Sequence, residues 1–128
     1  MSFIFVFGSN LLGIHGKGAA LTAAKHFDAQ HGIGQGLTGR AYALPTKITP
    51  YEVLPLDEVE KHVQRFIGFA KERADLSFQV TRVGCGLAQY TDEQIAPMFV
   101  NAPPQNVFFD LQWRPYLPKG FEYWGTFS

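Results

Sequence analysis

The chain has a single cysteine, Cys85, in 128 residues. That excludes an internal disulfide and a cysteine-based zinc cage, and makes a reducing compartment the default. There is no excess of charge of either sign, with eleven basic residues against eleven acidic ones. A duplex-binding protein that works through a broad basic face is therefore disfavoured, and nucleic acid is not an expected partner. No apolar run approaches the ~20 residues that a membrane span requires. The chain enters an apolar strand at once, with no basic leader and cleavage site, so a soluble cytoplasmic protein is expected. Neither HExxH nor CxxC accompanies the four histidines, and no metal site is expected. Repeats and low-complexity segments are also missing. Hydrophobic residues, at 46%, are numerous enough to exclude disorder, and the length fits one domain over residues 1–128.

Phe3 to Phe7 is a short continuous apolar run, as expected of a strand covered on both faces. A polar exit at Ser9 and Asn10 follows. Gly13, Gly16 and Gly18 then make a glycine-rich loop, and Ala19 to Phe27 carries the apolar stripe of a helix. The first N–H groups of a helix have no partner inside it, so this loop is a potential anion seat. Gly32 to Arg40 contains G-x-G-x-x-G at Gly34, Gly36 and Gly39. No strand precedes it and no helix follows, so the dinucleotide fingerprint is rejected in favour of a flexible surface loop. Ala41 to Leu44 is the second strand, ended by Pro45, Thr46 and Lys47. A connection runs from Ile48 to Pro55, and Leu56 to Arg73 is a helix with Val59, Val63, Phe66, Ile67 and Ala70 inward. Phe78 to Val83 is the third strand and leads into GCGLAQY. Thr91 caps a helix to about Val100 that Pro97 kinks or ends. Asn106 to Phe109 is the fourth strand. The remainder, Asp110 to Ser128, carries Trp113, Tyr116, Tyr123 and Trp124 among Pro and Gly breaks and reads as a loop with a short edge strand.

This alternation implies an α/β fold, a single three-layer α/β/α domain with a mostly parallel sheet. Ligands in such folds bind at the carboxyl edge of the sheet. Gly8, Ser9, Asn10, Thr46, Lys47, the Gly84 loop and Asp110 should gather there. Two glycine loops, each leading to a helix start, suggest a bisphosphate or pyrophosphate held between them. Walker-type binding is excluded, because Gly18 rather than Ser or Thr follows Lys17. Asn10, His15 and Lys17 are the candidate catalytic residues. The Asn10 amide can bond a ribose hydroxyl or stabilise its own turn. His15 and Lys17 can neutralise phosphate, move a proton or simply be solvated. Cys85 stands ahead of a helix, which can activate a thiol, or it is a small packed hydrophobe. Tyr90 or Trp113 can stack on a base or fill the core.

GSNLLGIHGKGAAL resembles the first strand and glycine loop of macro domains, and VGCGLAQY resembles their second, phosphate-gripping loop. The chain is similar to small macro-like proteins of the kind found in bacteria and their phages. The resemblance implies ADP-ribose as a small-molecule nucleotide ligand, with no cofactor of its own. Asn10 would then face the distal ribose. Gly16, Lys17 and Gly18 would line the first loop, while Gly84, Cys85, Gly86, Leu87 and Ala88 would wrap the phosphates. No acidic residue precedes Asp28, so the aspartate with which macro domains read adenine is absent, and cyclic or modified ADP-ribose enters the ligand class. The resemblance also leaves open an ADP-ribosyl hydrolase, or a non-enzymatic inhibitor or sponge of a nucleotide signal that uses its aromatic tail as a partner surface.

Overall fold

The computed structural model describes residues 3–127, which form an α/β fold around a mixed seven-stranded sheet. The first strand, β1 (Phe3–Asn10), lies at its centre. Helix α1 (Gly18–His26) follows, then β2 (Gly36–Thr38), β3 (Ala41–Thr49) and β4 (Glu52–Val53). Helix α2 (Leu56–Glu72), β5 (Ser77–Val80), the short α3 (Asp92–Ile95), β6 (Val107–Asp110) and β7 (Glu122–Gly125) complete the order. The strands run β2-β3-β1-β5-β6-β7 across the sheet, with β4 paired to β3 off that path. Neighbours from β3 through β7 are parallel; β2 and β4 each pair antiparallel with β3.

Period-two alternation in the strands sorts the core into two clusters. Ile4 and Val6 of β1, with Tyr42 and Leu44 of β3, pack with Val59, Val63, Phe66, Ile67 and Ala70 of α2. Phe5 and Phe7, with Ala41 and Ala43, pack with Ala20 and Ala23 of α1. The α2 side carries the larger aromatics: Phe66 meets Phe78 edge-on at 5.3 Å, and Trp113 is fully buried beside Phe99 and Phe109. Small alanines on the other side let α1 pack closely on β1.

Several boundaries differ from the sequence reading. The first strand continues through Ser9 and Asn10, which pair with β3. β3 likewise runs through Pro45 to Thr49, because Pro45 stands beside a register shift where a missing N–H is tolerated. The segment read as a flexible loop holds the edge strand β2, and the Ile48–Pro55 connection holds β4. β5 ends at Val80 rather than Val83. Thr91 does cap α3, through a reciprocal box with Gln94, but the α-helix stops at Ile95 and Ala96–Phe99 is a 3-10 turn. Pro97 lacks the N–H and crowds the preceding carbonyl, which is why the α-helix does not reach Val100. The tail forms a 3-10 turn over Leu111–Tyr116 and the edge strand β7. Among the described residues, no helix is long and apolar enough to cross a membrane.

Candidate functional site

Because the five central and following strands are parallel, their carboxyl ends share one edge. A cleft of about 1020 Å³ opens there. Gly8, Ser9 and Asn10 of β1 line it, as do Thr46 and Lys47 of β3 and the turn from Thr49 to Tyr51. The first glycine loop contributes Leu12, Ile14 and Gly16 to Ala20, the second contributes Thr81 to Ala88, and Gln112 and Phe127 close the far end. The two loops face each other across this hollow. A methyl group placed on Gly18 would lie 3.9 Å from the Leu87 Cδ1 atom.

Both loops hold backbone donors that the protein does not use. Among the described residues, the N–H groups of Gly16 to Ala20 donate to no protein acceptor, nor do those of Gly84, Gly86, Leu87 and Ala88. The first set includes the opening turn of α1, where Lys17 occupies the N-cap without a side-chain bond. The second glycine loop was expected to run into a helix start of its own. Instead α3 has only four residues, begins with Asp92 and Glu93, and has the Gln94 N–H capped by the Thr91 hydroxyl. Its acidic first turn offers no positive pole, so only α1 presents one to the cleft.

Charge in the lining is one-sided. Lys17, Lys47 and Arg82 contribute cations, and no Asp, Glu or His is among the described lining residues. Arg82 is fixed by a bidentate pair with Asp92 (2.8 and 2.7 Å), and the same carboxylate accepts from the Trp113 indole at 2.8 Å. These bonds, with Arg82 foremost, hold the Asp92 carboxyl below its usual range. Arg82 keeps its second terminal nitrogen for another partner. Lys47 donates to the Pro50 carbonyl.

Of the fourteen residues that sequence reasoning assigned to the site, the structure brings twelve to the cleft. His15 is not one of them. Its ring is fully buried, edge-on to Phe7 at 5.2 Å, and Nε2 donates to the carbonyls of Gln30 (3.0 Å) and Ile33 (3.1 Å). Burial foremost, with His31 alongside, pushes its pKa down and keeps it neutral. His15 therefore pins the Gln30–Gly34 segment beneath the first loop. Tyr90 is also elsewhere, donating its hydroxyl to the Leu54 carbonyl. Asn10 lines the cleft, yet its amide is closed on its own loop: Nδ2 donates to the Ile14 carbonyl (2.9 Å) and Oδ1 accepts from the Ile14 N–H (3.1 Å). Cys85 is pushed up to about 12, by burial first and the Asp92 charge second, so its thiol is protonated and not an activated nucleophile.

Sequence reasoning missed Arg82 as a site group, because nothing in a strand sequence says which face is wet. It also missed the Thr49–Tyr51 turn, whose Pro50 was a visible turn signal. Asp110, expected at the edge, is buried. It accepts from the N–H groups of Gln112 (2.9 Å) and Phe127 (3.0 Å), and so holds the two residues that close the cleft. Among the described residues, no group of His, Cys, Asp and Glu is arranged to hold a metal ion. No protein-family model, curated protein or solved structure matches the chain.

Proposed function

We propose that the chain is a three-layer, macro-like domain that binds ADP-ribose or a related cyclic or modified ADP-ribosyl nucleotide in this cleft. One observation carries the reading: among the described residues, two glycine loops with unused backbone donors flank a single hollow whose charged side chains are all cationic. A diphosphate seated across the ends of β1 and β5 would meet amides from both sides. The α1 terminus would add ~0.3–1 kcal/mol when exposed and up to ~2 when partly buried.

The lining favours binding over hydrolysis. A general base needs a titratable group within reach of the reacting proton, and the described lining residues include neither a carboxylate nor an imidazole side chain. Cys85 is protonated and the Asn10 amide is engaged. Calorimetry with ADP-ribose tests the proposal. We expect saturable binding that weakens at least tenfold in a Lys17→Ala, Arg82→Ala double variant. No heat at millimolar ligand with folded protein refutes it, and turnover of an ADP-ribosylated substrate would restore the hydrolase reading.

A further inference from the structure

The cleft is longer than its phosphate loops require. It starts at the β3–β4 turn, crosses the ends of β3, β1 and β5, and finishes at Gln112 and Phe127 beyond β6. Strands lie about 4.8 Å apart, so β3 to β6 spans about 14 Å. The glycine loops follow β1 and β5, the two middle strands of that span. An aromatic ring stands at either end.

The two rings are held differently. Phe127 is half-buried, edge-on to Phe5 at 5.8 Å, with its N–H on Asp110. Tyr51 sits at the tip of the β3–β4 turn and is 93% exposed. Its backbone is nonetheless fixed: its N–H donates to Thr49 Oγ1 at 3.1 Å, Lys47 Nζ holds the Pro50 carbonyl, and the Leu54 N–H donates to the Thr46 carbonyl at 3.0 Å. A rigid turn thus presents a ring that packs against nothing in the core. Leu12 and Ile14, 53% and 47% exposed, add apolar surface to the same cleft. Sugar hydroxyls gain little from such surroundings, whereas a planar base stacks on them.

We propose that the cleft takes a dinucleoside diphosphate, with a base on each arm of the diphosphate, and that Tyr51 stacks on the second base. This rests on the phosphate-loop reading above and replaces the free terminal ribose of ADP-ribose by a nucleoside. Tyr51 is then the residue that sets specificity, while the loops and cations grip what both ligand types share.

Calorimetric titration of wild type, Tyr51→Ala and Tyr51→Phe with diadenosine diphosphate, ADP-ribose and inorganic pyrophosphate tests the assignment. One base–aromatic stack changes affinity about 5- to 150-fold. Wild type should bind diadenosine diphosphate more tightly than ADP-ribose by a factor in that range. Tyr51→Ala should erase the difference, leave ADP-ribose and pyrophosphate affinities unchanged, and be rescued by Tyr51→Phe. Equal affinities in wild type, no effect of Tyr51→Ala, or an equal loss for all ligands overturns the proposal. Dinucleotide binding without ADP-ribose binding would sink the ADP-ribose reading and keep this one; no binding of either sinks both. Tyr51 makes no core contact, so a folding defect is not expected to confuse the result.

Discussion

A Cβ atom built on Gly34 would lie 2.2 Å from the Asn10 carbonyl oxygen and 2.9 Å from that of Leu11. Gly13 meets Gly32 as closely, at 2.4 Å. The first loop and the segment after α1 therefore touch backbone to backbone, and only glycine permits it. Gly34→Ala should cost about 1–3 kcal/mol by overpacking and lower ligand affinity, while Gly16→Ala, with nothing within 4 Å, should melt like wild type. Equal melting temperatures for the two would contradict this packing. The glycines themselves were legible in the sequence, Gly13 and Gly16 in the loop after β1 and Gly32 and Gly34 in a segment expected to be a surface loop. Their partners were not, because each contact joins segments far apart in the sequence, Gly13 with Gly32 and Gly34 with Asn10, and leaves no local pattern. His15 was misplaced for the same reason: a histidine between glycines reads as a loop residue until its burial is seen. That burial has a pH signature. His15 and His62 both have folded-state pKa values lowered by burial, so the unfolded chain binds protons first as the pH falls. Their contribution to stability is full above about 6.5 and declines as the pH drops from there through the lowered folded values. Urea midpoints between about pH 5 and 7.5 should rise with pH, and His15→Gln should flatten the curve in part; an unchanged slope would mean that the buried ring titrates normally.

At the scale of elements, α3 is too short to support itself by propagation. It is held by the Thr91 cap, by Ile95 in the core, and by Asp92 in its bonds to Arg82 and Trp113. Asp92→Asn should release Arg82 from its fixed position and destabilise the fold by about 1–3 kcal/mol. Cys85 supplies a second readout. With its pKa pushed up to about 12, mainly by burial, the thiol stays protonated at pH 8, so wild type should react slowly with a disulfide reagent. Removing the Asp92 charge should speed that reaction; an unaltered rate would place the two groups out of electrostatic reach. The long elements were readable where periodicity had room to accumulate. α2 was placed to within one residue of its end, since its buried stripe repeats over seventeen residues. β2 and β4, of three and two residues, have no measurable period and exist only through pairing with β3. Pro45 was misread as a strand end because the register shift that accommodates it belongs to the pair of strands, not to either sequence.

For the whole molecule, a net charge of zero conceals an uneven distribution, with three cations and no acid among the described lining residues of one cleft. Binding of a diphosphate there should weaken between 0.1 M and 1 M salt, as the screening length falls from about 10 to 3 Å. The aromatic tail sets a stricter test, because the sequence allowed it to be either a partner surface or part of the core. Trp113 is fully buried, the Trp124 indole donates to the Val80 carbonyl across β6, and Asp110 accepts from Thr126 and Phe127. β7 also covers the edge of β6, whose backbone groups would otherwise be left open to another chain. Deleting residues 116–128 should therefore abolish cooperative thermal unfolding or make the protein aggregate. Deleting only 122–128 should leave Trp113 buried but expose β6 and remove Phe127 from the cleft, with a lower melting temperature and loss of dinucleotide affinity. A truncated chain that melts at the wild-type temperature would show instead that the tail adds nothing to the core, and would return it to the role of a surface for a partner.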